Sequence, residues 1–455
     1  MRNVKKNKRK SGKREEKKKE KRRGRYCLGI IGLLFCFLIM PQKVQGAQDF
    51  SEIQKVQKAQ NFSEIQKVQG AQDFSEIQKA QEAEQVPGEK SGQKSENFTE
   101  EEMEETINGY LEELDFSEIN AALKQQESTQ AIDFRELVEK LIQGEEIEKG
   151  WLMQEILNLI FEEVDSFRGT LVQIVLLCFV FAILYNFADV FKNPAVTEIS
   201  FYMVYMLLLV LLMQSFFILR DVSSQVITDM MVFLKVMIPA FTMSMAFSGQ
   251  ITTAAGFYDM TFLLIYGMEW MMGNLIIPAV QIYMVLELMN YLTEEELISR
   301  MTELLKSGIV WTMKVLFTMV IGINVVQNLL TPVIDTFKTG LITKTAGMLP
   351  GLGTSINAVT EIMVGSGIII KNGIGLAAIL VLLVLCGGPL IKVGVMTFLY
   401  KLLAAVIQPV SDKRMIGCIS SAGESGRLLG KVVVTTTVMF LVTIAMITAA
   451  TTARY

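Results

Sequence analysis

The feature that most constrains this chain is the succession of long apolar segments that begins near residue 171 and runs to the C-terminus. Each segment has about 18 or more mostly apolar residues, which at 1.5 Å per residue is enough for a helix to cross about 30 Å of hydrocarbon. A bilayer cannot hydrogen-bond exposed backbone, so such segments cross as helices. Seven spans are predicted, at 171–190, 199–219, 230–247, 257–285, 308–331, 374–399 and 432–450. We therefore expect residues 169–455 to form an all-α polytopic membrane domain.

A glycine-rich segment at 341–370 is too polar for an ordinary span and too apolar for a solvated loop. The most basic connection, 401–431, should be cytoplasmic by the positive-inside rule. If residue 47 lies outside, seven spans leave that connection outside, whereas eight place it inside. The sequence thus predicts a bundle of about seven to eight spans, in which 341–370 crosses or enters deeply as a broken helix. Its candidate helix-break residues are Pro350, Gly351 and Gly353.

Residues 1–46 have the layout of a secretory signal peptide with a long basic n-region. The first 25 residues carry fifteen Lys or Arg against three Glu, and an apolar stretch extends from Tyr26 to Met40. Val44 and Gly46 occupy the −3 and −1 positions of a cleavage site. The alternative is an uncleaved anchor, which would be short for a span of about 20 residues. Both interpretations place the chain after residue 46 on the trans side, and both explain the basic leader without nucleic acid.

Residues 47–98 are a low-complexity region built on a twelve-residue repeat, with copies starting at Ala47, Ala59 and Ala71. One Phe and one Ile per copy bury too little surface to offset the entropy of ordering. We expect a disordered extracytoplasmic spacer.

Residues 99–168 are acidic, with apolar residues at the i, i+3, i+4 spacing of amphipathic helices. The pattern is clear at Ile107, Tyr110 and Leu111, and again at Phe134 and Val138. We expect short extracytoplasmic or interfacial helices that lie on the membrane domain or on a partner, then an interfacial helix that leads into the first span.

Composition excludes most enzymatic chemistry. The chain has no histidine, which excludes Ser/His/Asp triads, HExxH zinc sites and imidazole haem ligands. Its five cysteines lack a CxxC spacing, and the stretch 423–431 lacks the GxxxxGK[ST] spacing of a phosphate-binding loop. We expect no catalytic residues, no cofactor and no metal.

Ionisable residues within spans are the strongest functional signal, because a charge at a helix centre costs about 2.5–3.5 kcal/mol on insertion scales. The candidates are Lys235, Glu269, Lys314 and Lys392. They could line a pathway, or the lysines could snorkel or pair with Glu269 to fix helix packing. Just before Lys392, the sequence Gly387, Gly388, Pro389 should kink or unwind the sixth span, as in the discontinuous helices of many transporters.

Three stretches, 315–338, 349–375 and 419–431, resemble the stage III sporulation protein AE family of endospore-forming Firmicutes. The resemblance covers about residues 99–455. It implies a protein of the mother-cell-derived outer forespore membrane, part of the channel that joins mother cell and forespore and supports late forespore gene expression. The implied partners are a secretion-type ATPase and ring-forming proteins from the same operon, a forespore membrane protein and the lipid bilayer.

The role within that channel is left open between three alternatives. The chain could be a permease-like or export-gate subunit, or a scaffold that only anchors its partners. It could also be an independent secondary transporter.

Overall fold

The computed structural model describes residues 100–126, 128–144, 149–190, 194–292, 298–346, 353–409 and 411–450. The predicted signal peptide and the repeats lie outside these residues. Helices make up nearly all of the described chain: α1 Glu100–Glu113, α2 Ser117–Lys124, α3 Phe134–Gln143, α4 Lys149–Val190, α5 Pro194–Phe247, α6 Ile251–Met271, α7 Ile277–Asn290, α8 Ser299–Ala346, α9 Gly353–Ile407 and α10 Lys413–Ala450. A π-helical segment, Met272–Ile276, joins α6 to α7.

Two of the three short helices, α1 and α3, form where the apolar spacing predicts them, and all three lie on the long helices. The Asp133 side chain accepts hydrogen bonds from the backbone N–H groups of Arg135 and Glu136 and so caps the start of α3. Phe134 and Val138 of α3 are fully buried. α1 and α3 pack against α9, and α2 packs against α5. All three short helices therefore lie against the long helices of the bundle.

One correction concerns α5, which is a single helix where the sequence predicts two spans, 199–219 and 230–247. The polar stretch between them, 220–229, does not turn the chain. Its buried positions, Ser223, Val226 and Ile227, continue the helical face that starts before it. Because hydropathy averages over all sides of a helix, a polar outer face hides an unbroken apolar inner face.

The long helices run in alternating directions, as their contacts show. Tyr205 of α5 lies beside Cys418 of α10, and Thr437 further along α10 contacts Met230, so these two helices are parallel. α9 is antiparallel to α10: a Cβ on Gly423 would touch Lys401, whereas Lys371 contacts Thr448 near the end of α10. α9 is central, packing on α4, α5 and α10.

The bundle therefore has two ends. The α4–α5 half is the part around Cys178, Tyr205 and Cys418. The α1–α3 half is the part in which the ring of Tyr110 stacks on Phe247 and α3 lies on α9. Both halves have buried apolar cores, and α5, α9 and α10 pass through both. At the α1–α3 end, Gly249 takes the left-handed φ of 76° in the turn between α5 and α6.

Five helical stretches are long and apolar enough to cross a membrane: Phe201–Phe247, Ala254–Asn290, Ser299–Gln327, Ile362–Ile407 and Lys413–Ala449. The chain is thus an all-helical membrane protein in its described part, although the count of seven to eight spans is not confirmed. Most of the predicted broken span, 353–370, belongs to α9 and not to a helix of its own. The separate span at 171–190 is the C-terminal part of α4.

Candidate polar site within the membrane helices

Two of the four candidate residues come together. Lys235 Nζ of α5 donates to Glu269 Oε2 of α6 at 2.7 Å, although the two residues are 34 apart in sequence. Their side chains are 21% and 41% exposed, and Lys235 also lies over the Tyr266 ring, 4.5 Å from its centroid. Opposite charge and an aromatic face together offset part of the free-energy cost of placing both ions within apolar helices.

The carboxylate of this pair stands next to an irregular part of the helix. Glu269 is in the last turn of α6, and the π-helical segment begins at Met272. Pro278 comes near the start of α7 and has no N–H to donate to the carbonyl four residues before it. The wider π turn before Pro278 accommodates the missing backbone hydrogen bond. Single π turns within α-helices occur frequently at functional sites.

Lys392 pairs with a residue that was not among the candidates. Its Nζ donates to Glu163 Oε1 of α4 at 2.9 Å, across 229 residues of sequence. Pairing with Glu269 was one of the alternatives for the intramembrane lysines, and Glu163 is predicted to lie in an interfacial helix. Here α4 continues from that predicted interfacial helix into the bundle, which brings its acidic residue to α9.

A second group of charges gathers around Glu424 of α10. Lys306 of α8 lies 2.6 Å and Lys401 of α9 lies 4.0 Å from its carboxylate, and Arg427 donates to it as well. Because Gly430 of α10 faces α9 next to Lys392, the Lys392 and Glu424 groups occupy neighbouring levels of the bundle. These six residues form what we call the charged belt: Glu163, Lys306, Lys392, Lys401, Glu424 and Arg427. The belt separates the two halves.

The α1–α3 half also contains interior polar groups that were not predicted from the sequence. Lys371 of α9 is 0% exposed, and its ammonium donates to the Thr448 carbonyl of α10 at 3.4 Å. Asn324 of α8 is fully buried and donates to the Thr443 hydroxyl at 3.1 Å. The signal available for Lys371 was its position as the one charged residue in the sequence from 362 to 391.

The remaining candidates do not join these groups. Lys314 is exposed on α8, and no ion pair connects it to another residue of the described ranges. α9 is helical throughout Gly387, Gly388 and Pro389, so the expected unwinding does not hold, while a kink stays a prediction. Gly353 is the first residue of α9, and Pro350 and Gly351 lie outside the described residues.

Within the described residues, no three His, Cys, Asp or Glu side chains come together as metal ligands do. What the site offers chemically is paired ions and hydrogen-bonding groups, held between helices in an apolar surrounding.

Comparison with known proteins agrees with the resemblance drawn from the sequence. A family model described as stage III sporulation protein AE matches residues 132–451. The protein named stage III sporulation protein AE in Bacillus subtilis (strain 168) is 25% identical to this chain over 302 residues, which is 65% of this chain and 74% of the relative. No solved structure matches significantly.

Proposed function

Since the chain belongs to the stage III sporulation protein AE family, we propose that it is a membrane component of the stage III sporulation A complex, the channel between mother cell and forespore. Family membership supports a role in sporulation, and the long apolar helices support a membrane location. Within the complex, we assign it the role of a permease-like or export-gate subunit in the outer forespore membrane, needed for late forespore gene expression. Its partners would be the secretion-type ATPase, the ring-forming proteins and the forespore membrane protein.

The observation that carries the gate assignment is the Lys235–Glu269 pair beside the π-helical segment. A purely structural span does not require two ions in apolar surroundings, and it needs no irregular turn next to one of them. Paired ions next to an interrupted helix are how many membrane proteins build sites along a path. A scaffold would gain only packing from the same pair.

A gate formed with partners fits the packing better than an independent transporter does. Buried apolar side chains beside the pair, among them Leu234, Phe241 and Phe440, enclose a cavity of only about 20 Å³, which leaves no room for a path. A path that uses Lys235 and Glu269 would therefore run along the part-exposed side of these helices, where another chain completes it.

The test is sporulation with Glu269→Gln in a spore-forming host that depends on this chain. Neutralising Glu269 leaves the Lys235 ammonium without its carboxylate, and we expect heat-resistant spores and a late forespore reporter to fall by at least about tenfold. The matched control is Glu139→Gln. Glu139 is also 41% exposed and pairs with Arg135 at 3.0 Å, but both residues of that pair belong to the short helix α3 and not to a long helix.

Membrane levels of each variant, measured by immunoblotting, separate loss of function from loss of protein. If Glu269→Gln accumulates normally and sporulates like Glu139→Gln, the chain is a scaffold and the gate assignment fails. The charge-swapped variant, Lys235→Glu with Glu269→Lys, sharpens the result. It should restore stability but not sporulation if the position of the carboxylate matters.

A further inference from the structure

Three cations from three helices converge on one carboxylate in the charged belt. α8 contributes Lys306, α9 contributes Lys401, and α10 contributes both Glu424 and Arg427. Lys306 and Arg427 share Oε1 of Glu424, while Lys401 faces Oε2. The group therefore carries a net charge of two positive units, which nothing in the proposed gate uses.

The cations face outward and the carboxylate lies behind them. The side chains of Lys306, Lys401 and Arg427 are 35%, 47% and 45% exposed, whereas that of Glu424 is 19% exposed. An ammonium has three N–H donors and a guanidinium has five, so one carboxylate leaves most of these donors free to bind another group. An anion at this surface would meet converging, preassembled donors.

Apolar side chains continue from the cluster toward the α1–α3 end. Past Arg427, the outer side of α10 exposes Lys431 and then Val434 and Val438. The part of α10 from Lys431 to its end at Ala450 spans about 29 Å, close to the thickness of the hydrocarbon core.

We propose that Lys306, Lys401 and Arg427 bind the headgroup of an anionic phospholipid, whose acyl chains lie along Val434 and Val438. Basic pockets between membrane helices hold anionic headgroups in this way, with phosphate oxygens on the cations. A zwitterionic lipid carries its own cation and gains less from a site with a net positive charge. The lipid site does not depend on the proposed gate, because none of its residues belongs to the Lys235–Glu269 pair.

The experiment uses the full chain purified in detergent and native mass spectrometry to count retained lipids. Phosphatidylglycerol should be retained over phosphatidylcholine by the unmodified protein. Lys401→Gln keeps Glu424 bonded to Lys306 and Arg427, and it should weaken phosphatidylglycerol retention about fivefold, since one surface cation contributes about 1 kcal/mol. The matched control is Lys314→Gln, an exposed lysine on α8 outside the cluster, which should retain as much as the unmodified protein.

Glu424→Gln is the more decisive variant, because phosphatidylglycerol retention should rise if the cluster is a lipid site and fall if it is a structural ion cluster. Removing the negative charge should increase phosphatidylglycerol retention if the cations bind a phosphate. If the four residues only hold helices together, the same change loosens them and lowers both retention and melting temperature. Unchanged retention in Lys401→Gln, lower retention in Glu424→Gln, or equal retention of the two lipids would each overturn the proposal.

Inorganic phosphate separates a lipid site from a site for the free ion. We expect excess phosphate to leave bound phosphatidylglycerol in place, because it lacks the acyl chains. If phosphate alone raises the melting temperature and displaces the lipid, the cluster is a free-phosphate site and the lipid proposal fails.

Discussion

The same long helices run through both halves of the bundle, but the two halves bury different side chains. In the α4–α5 half, the fully buried polar groups are neutral: Tyr205 donates to the Leu288 carbonyl, and Cys178 and Cys418 are buried thiols, while the Arg414–Asp412 pair is 24% and 28% exposed. In the α1–α3 half, the Lys235–Glu269 pair is part-exposed in the same way, but the amine of Lys371 is fully buried. Because α5, α9 and α10 pass through both halves, side chains and not helix paths make the difference. Among the described residues, the buried amine of Lys371 is what distinguishes the α1–α3 half.

The largest expected effect comes from Lys371→Ala. Removing this fully buried side chain leaves a cavity and takes the amine from the Thr448 carbonyl. We expect the free energy of unfolding in detergent to fall by about 2–5 kcal/mol. Tyr205→Phe in the other half loses only one hydrogen bond and should cost about 0.5–1.5 kcal/mol. Lys371→Met keeps most of the volume, and its cost should lie between those of the two other variants. If Lys371→Ala is as stable as Tyr205→Phe or more stable, the two halves do not differ in the free energy that their buried polar groups contribute.

A second prediction compares close approaches at the two ends. A Cβ on Gly367 would lie 2.6 Å from the backbone of Phe247 and Ser248, whereas one on Gly417 would meet the ring of Tyr291. A ring can rotate away and a backbone cannot, so Gly367→Ala should cost about 1–3 kcal/mol and Gly417→Ala less. Gly365→Ala is the control, since nothing lies within 4 Å of its added Cβ. Melting temperatures that rank Gly417→Ala below Gly367→Ala would contradict this order.

The smallest effect concerns the short helices alone. Hydrogen bonds from the Ser117 side chain and backbone hold the pKa of Asp115 below its usual value. A lowered folded-state pKa means that this stabilisation is present above the unfolded value of about 3.9 and is lost as pH falls through the folded value. The protection factors of the α2 amides, which correct the exchange rates for their intrinsic pH dependence, should therefore fall below about pH 4 by an amount worth at most about 1 kcal/mol.

Asp115→Asn is the comparison for the pH experiment, because its protection factors in α2 should not change over the same pH range. If the protection factors of the long helices fall together with those of α2, the short helices do not open independently of the bundle.

The class of fold and the family could be predicted from the sequence, because both depend on local patterns. Apolar length predicts helices in the membrane, and the i, i+3, i+4 spacing predicts α1 and α3. The pairing of charges could not be predicted in the same way. Lys392 and Glu163 are 229 residues apart, and nothing in either local sequence indicates that α4 and α9 meet. Lys235 and Glu269 were both identified, yet only the antiparallel packing of α5 and α6 makes them partners.

Span counting failed at α5 for a related reason. A polar stretch such as 220–229 is compatible with a turn between two spans and with the outer face of one helix. The positive-inside rule fixes only whether an odd or even number of crossings precedes the basic connection 401–431. Four of the five stretches that are long and apolar enough to cross a membrane precede α10, which is an even number. With residue 47 outside, these stretches satisfy the rule only if α4 crosses as well.

The continuity of α5 has a mechanical consequence. At 54 residues it is a helix of about 81 Å that runs through both halves and the charged belt, with Pro239 inside it four residues after Lys235. A proline-free stretch of α-helix is stiff along its axis, so a displacement applied at Pro194 would reach Lys235 with little loss. The neighbouring leg, α6 with α7, carries the π-helical segment three residues after Glu269. Force entering at the α4–α5 end would thus be delivered as sliding between α5 and α6, at the level where Lys235 meets Glu269.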